Sequence, residues 1–238
     1  MASAAARAET APTRPTARPP AQRRTPTGAW RHRAAKVALV LLALVPLAYL
    51  AYGAYADTLG ANPVEAIEFG TGKWTLRLLI VTLMITPARQ ITGWNGLIKY
   101  RRLVGLLTFF FATVHLSVYF SLDVGFSVGD VVHDVIKHPY ITMGMLAWLT
   151  LVPLAITSTR GWVRRLGGKR WTRLHQLIYV TAVAGSIHFL WAVKKDRSEP
   201  LAYVTIFAAL FAYRIWHAFD RRRARTVTAS AASTQSAR

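Results

Sequence analysis

Six apolar runs divide this chain, each close to the length of a bilayer-crossing helix, at about 36–55, 74–91, 102–122, 140–157, 171–193 and 201–219. A helix rises about 1.5 Å per residue, so about 20 residues cross a hydrocarbon core about 30 Å thick. Composition agrees with this pattern. A chain of 238 residues that is 53% hydrophobic and carries a formal net charge of +20 must segregate grease from charge. The predicted fold class is an all-α integral membrane protein with six transmembrane helices.

The predicted organisation has three parts. Residues 1–35, rich in Arg, Pro, Ala and Thr, have little to bury and read as a disordered basic tail. Residues 36–220 form the membrane domain, and 221–238 read as a second disordered tail. A cleaved signal peptide over 37–56 is the competing reading, but that apolar run is too long for an ordinary signal sequence and its basic lead-in too extended. The chain has no cysteine, so disulfides, iron–sulfur clusters and thiolate metal sites are excluded.

Charge between the runs sets the orientation. The N-terminal tail, "PARQITGWNGLIKYRR", "STRGWVRRLGGKRWTR" and "RRRAR" hold most of the Lys and Arg. The other three connections hold Asp57, Glu65, Glu68, Asp123, Asp130, Asp134, Asp196 and Glu199, eight of the ten acids. By the positive-inside rule both termini and the second and fourth connections are cytoplasmic. The basic surface reads as a partner for anionic membrane lipid, and its fit to the membrane pattern argues against nucleic acid.

Depth then separates the histidines. The third and fifth runs both start at the inner face, near Arg102 and Arg173, and run outward. His115 lies thirteen residues beyond Arg102 and His188 fifteen beyond Arg173, about 20 and 22 Å from that face. Two imidazoles at matched depth on two helices are placed to hold a metal macrocycle through both axial positions, and haem b needs no cysteine. His175, two residues beyond Arg173, lies near the inner surface. His32, His133, His138 and His217 lie at the interfaces or beyond and read as solvated. Arg77 and Arg214 sit within runs, where a guanidinium needs an anion or must snorkel. Arg77 is near the outer end, where it would serve the propionates of an outer haem. The alternative is a cofactor-free six-helix transporter or scaffold that uses its histidines for proton relay or packing.

The segments "GKWTLRLLIVTLMITPARQITG", "YRRLVGLLTFFFATVHLSVYF", "DVIKHPYITMGM", "LAITSTRGWVRRLGGKRWTRLHQLIYV" and "SIHFLWAVK" resemble the haem-binding membrane subunit of the bacterial protein-methionine-sulfoxide reductase system, the MsrQ or YedZ type. That family falls within the wider group of ferric-reductase-like transmembrane domains. The resemblance covers about 65–217, with His138 standing where Arg is common. It implies an electron carrier of the bacterial inner membrane with haem b, one or two, and FMN. The implied donor is a quinol or a cytoplasmic flavin reductase. The implied acceptor is a periplasmic molybdopterin enzyme that reduces methionine sulfoxide in oxidised proteins. It also implies His115, His175 and His188 as ligands. Arg101, fourteen residues before His115 and so nearly on the same helix face, then falls beside His175, with Arg101 or Arg102 against an inner haem. Larger relatives carry a fused domain for FAD and NADPH, but here the segment after Phe219 is expected to be too short and too polar to fold, so electrons must come from a separate donor.

Overall fold

The computed structural model describes residues 26–236. Among them the chain forms helices joined by short turns, and the expected tail over 1–25 lies outside the described residues. The helices are α1 (Pro26–Tyr55), α2 (Pro63–Thr92), α3 (Ile98–Val118), α4 (Val128–Lys137), α5 (Pro139–Ile156), α6 (Arg160–Leu166), α7 (Gly168–Leu174), α8 (Leu177–Ala192) and α9 (Ser198–Ser236). Several boundaries differ from expectation: α2 starts at Pro63, eleven residues before the expected span, so that Glu65 and Glu68 fall within it, and two more differences lie toward the ends of the chain. Helix α1 starts ten residues before the expected span, and α9 runs on through the segment expected to be a disordered tail. Both extensions are rich in Ala and Arg, which favour helix, and neither contains a proline after the first helical residue, so nothing local ends them.

Four helical segments are long and apolar enough to cross a membrane: Trp30–Tyr55, Asn95–Asp123, Pro139–Ile156 and Ser198–Arg221. The chain is a multi-pass membrane protein, and its regular structure is helical throughout the described residues. Two of the six expected spans fall short of that measure, for physical reasons. Helix α2 carries Lys73, Arg77 and Arg89 together with several threonines. Helix α8 is only 16 residues long, because a turn at His175–Gln176 separates it from α7. Each packs along one face against a neighbour, α2 along α3 and α8 along α5, while its other face keeps exposed apolar side chains such as Val81 and Val183. A face packed against a neighbour tolerates threonine, and here Thr82 and Thr108 meet across α2 and α3 at 3.3 Å while each also bonds a carbonyl of its own helix.

Local chemistry fixes the ends of α2. Asn62 accepts from the Glu65 amide and donates to the Glu65 carboxylate, Pro63 supplies a first residue that needs no donor, and Gly93 closes the helix with φ of 69°. Two packed clusters hold the bundle. One joins α2, α3, α5, α8 and α9 through residues such as Leu79, Leu83, Leu151, Ala182 and Phe207. The other joins α1, α2 and α3 through Ala43, Leu78, Ile85, Val104, Leu107 and Phe111. Exposed side chains such as Leu41, Leu42, Val45, Val183 and Ile206 form the complementary outer surface suited to lipid.

Adjacent phenylalanines make this packing testable. Phe111 is fully buried, whereas Phe110 is 42% exposed. Phe111→Ala is expected to cost about 3–5 kcal/mol by leaving a void. It should lower the thermal unfolding midpoint in detergent, while Phe110→Ala should leave that midpoint nearly unchanged.

Candidate functional site

Helices α3 and α8 bring His115 and His188 together, with ring centroids 6.0 Å apart and planes crossed at 70°. Both rings line a cavity between α2, α3, α5 and α8. Its walls are largely apolar, including Phe69, Leu76, Leu79, Ala112, Met145, Trp148 and Leu151, and its polar lining includes Glu68, Lys73, Tyr119, Asp123 and Tyr140. Trp148 is fixed by donating from Nε1 to Thr113 Oγ1 at 3.1 Å and by stacking on Phe109. After His115 the backbone loosens into a π-turn over Tyr119–Asp123, and the Tyr119 hydroxyl donates to Asp134 of α4 at 2.9 Å.

The hydrogen bonds of the two imidazoles assign their tautomers. His188 Nδ1 lies 2.7 Å from the backbone carbonyl of Tyr140. A carbonyl only accepts, so Nδ1 carries the proton and Nε2 keeps its lone pair. His115 Nδ1 lies 3.2 Å from Thr71 Oγ1, which is also 2.8 Å from the Ile67 carbonyl and 3.0 Å from that of Glu68. The single hydroxyl proton of Thr71 goes to those carbonyls, so its oxygen accepts from His115 Nδ1. Neither Nε2 has a hydrogen-bond partner among the described residues. Each ring is therefore pinned at one nitrogen and bare at the other, the arrangement in which histidine binds a metal.

Two glycines admit the rings. A Cβ on Gly144 would sit 2.8 Å from His188 Nδ1, and one on Gly72 would sit 3.2 Å from His115 Cε1. Gly144 also lies one turn after Tyr140, so its missing side chain opens the carbonyl that His188 uses.

The other expected site residues lie elsewhere. Arg77 donates from Nε to the Tyr203 hydroxyl of α9 at 3.0 Å and lies 4.8 Å over the Trp74 ring, and it does not line the cavity. Lys73, one turn earlier, does line it and pairs with Glu199 at 3.2 Å. His175 stands apart from His115 and His188 at the α7–α8 turn. It stacks on Trp171 at 3.9 Å with Nδ1 3.2 Å from the Trp171 carbonyl, and its Nε2 is buried without a partner. Arg101 is half-buried near His175, whereas Arg102 is exposed. Sequence reasoning missed Thr71, Gly72, Tyr140 and Gly144. The glycines within "GTGKW" and "TMGM" were the available signal, since each interrupts a helix for no local reason.

These residues fit haem b. Two neutral imidazoles present bare Nε2 atoms to an apolar cavity, and their separation is on the scale of one iron held by two bonds of about 2 Å, typical of metal–imidazole contacts. The family described as ferric reductase like transmembrane component matches residues 71–186, which include Thr71, His115, Tyr140 and Gly144 and end two residues before His188. The chain is 51% identical over 168 residues to the protein-methionine-sulfoxide reductase heme-binding subunit MsrQ of Xanthomonas campestris pv. campestris, covering 71% of this chain and 77% of that protein. MsrQ proteins of Xanthomonas axonopodis pv. citri and Herminiimonas arsenicoxydans are 49% and 48% identical over similar shares. With this identity across most of both chains, the protein belongs to the MsrQ family of protein-methionine-sulfoxide reductase haem-binding subunits.

Proposed function

We propose that this protein carries electrons outward across the bacterial inner membrane, through haem b held by His115 and His188, to a separate periplasmic molybdopterin-containing methionine-sulfoxide reductase. The observation that carries the reading is the pair of fixed tautomers, each with Nδ1–H on a protein acceptor and Nε2 bare toward the cavity. His115 and His188 would hold haem b, which when bound would supply a one-electron couple and no substrate-converting step. Thr71 and the Tyr140 carbonyl hold the imidazoles in orientation, while Phe69, Leu76, Trp148 and Leu151 exclude water. Lys73 takes the part of cationic partner to the propionates that the sequence suggested for Arg77.

The reading takes one haem in this cavity, since His175 does not line it. It also takes six spans, α2 and α8 among them, with both termini cytoplasmic. Support comes from the charge pattern, which puts the acids of the first, third and fifth connections on the outer side. The acidic α4 region, with Asp130 and Asp134, then faces the acceptor, and the basic inner connections face anionic lipid. FMN and a quinol or cytoplasmic flavin reductase as donor follow from the family resemblance.

Two outcomes are expected. Thr71→Val removes the acceptor of His115 Nδ1–H while keeping side-chain size, and should weaken haem retention about 10–100-fold, the usual scale for losing a partner behind a ligating histidine. Haem titration of the stripped protein measures this. Reduced protein mixed with methionine sulfoxide should reoxidise slowly alone and fast once the candidate molybdenum enzyme is added. Equally fast reoxidation by the sulfoxide alone would make the chain itself the catalyst and overturn the carrier reading.

A further inference from the structure

We infer that α4 is an interfacial helix, whose stripe of Val128, Val132 and Ile136, led by Phe126, is seated in the lipid at the bilayer surface. The inference needs only a multi-pass membrane protein, and it rests neither on haem nor on which side of the membrane α4 occupies.

Connectivity puts α4 at the surface. The apolar span Asn95–Asp123 ends four residues before α4, and only His138 separates α4 from the span Pro139–Ile156. Ten residues make a helix about 15 Å long, too short to cross a core of about 30 Å. Both of its ends are tied to the same end of two spans, so it lies along the bilayer instead of projecting from it.

Its side chains fall into three sectors, as a helix that touches protein, lipid and water requires. At about 100° per residue, Val131, Asp134, Val135 and the capping His138 share the side that is half-buried against the bundle. There Asp134 accepts from Tyr119, and the Thr142 hydroxyl of α5 donates to the Val135 carbonyl, which fixes the rotation of α4. Val128, Val132 and Ile136, spaced four residues apart, form the next sector and are exposed, Ile136 by 80%. Gly129, Asp130, His133 and Lys137 complete the circle, also exposed.

The turn before α4 extends the same surface. Phe126 has φ of 66°, a conformation that a bulky side chain adopts only at a cost, yet the residue is 67% exposed. Its ring meets Phe120 edge-on at 5.4 Å, near the exposed Leu122 at the end of the span. Leu122, Phe126, Val128, Val132 and Ile136 thus carry the apolar surface of the span on to α4. In water this surface would leave a strained aromatic and four aliphatic side chains wet, and lipid removes that penalty. Charge makes the contact apolar. Helix α4 sets Lys137 against Asp130 and Asp134, so it lacks the cationic face that draws a helix to anionic headgroups. Because Asp134 holds Tyr119, which lines the histidine cavity, a lipid-seated α4 sets that end of the cavity near headgroup level.

The chain has no cysteine, so Val132→Cys, Ile136→Cys, His133→Cys and Lys137→Cys each create one labelling site. Val128→Cys repeats the reading on the stripe should either of the first two fail to fold. The full chain, nitroxide-labelled at one position at a time, is reconstituted in phosphatidylcholine bilayers. Power-saturation electron paramagnetic resonance then compares collision with oxygen, which collects in lipid, and with a water-soluble nickel chelate. Labels at positions 132 and 136 should favour oxygen about threefold more than labels at 133 and 137, and should lie about 5–10 Å into the boundary of headgroups and acyl chains. The pattern should be the same when phosphatidylglycerol is included, and a pattern that requires it would overturn the apolar contact. Equal nickel access at all four positions would overturn the lipid seat. Shielding of 132 and 136 that arises only when the candidate molybdenum enzyme is added would also overturn it, and would make the stripe a protein docking surface.

Discussion

The fold turns on the need to satisfy two imidazole N–H groups in a place where water is not on hand to do it. An unpaired N–H in apolar surroundings is expensive, so each ring must find a protein acceptor. His115 finds the Thr71 hydroxyl across the α2–α3 contact, and His188 finds the Tyr140 carbonyl across the α5–α8 contact. These are also the two most extensive helix pairings among the described residues. The two pairs, packed side by side, leave the cavity between them and aim both free nitrogens into it. The glycines follow from the same requirement, since Gly72 and Gly144 are where the rings come up against the neighbouring helix.

A polarity runs along the bundle. Carboxylates gather toward the cavity mouth, where Glu68 and Asp123 contribute to the lining and Asp134 holds Tyr119. Guanidiniums gather toward the other end, with Arg101 and Arg214 buried or half-buried there and the exposed basic turns beyond. Such an arrangement follows the orientation rule for membrane proteins, and it also provides opposite chemistry for whatever approaches each end.

What the sequence revealed and what it hid have physical reasons. Apolar run length marked the helices that face lipid. It did not show that α2 carries three cations whose partners lie on neighbouring elements, or that a turn at His175–Gln176 shortens α8. Depth along a helix is set by rise per residue, so the common height of His115 and His188 could be counted. Direction around the helix is harder. Arg77 sits near the right height for the cavity but points to Tyr203 on α9, while Lys73 lines it. The partners of the imidazoles were hidden because Thr71 and Tyr140 are 44 and 48 residues away in sequence, and only the packing of whole helices brings them near.

The central claim is that one iron is held between two neutral histidines of this chain. Low-temperature electron paramagnetic resonance of the oxidised native protein addresses it most directly. If His115 and His188 both hold the iron, the oxidised protein should give a low-spin ferric signal. A predominantly high-spin signal from intact protein would mean an open or water-held axial position and would contradict the two-histidine site.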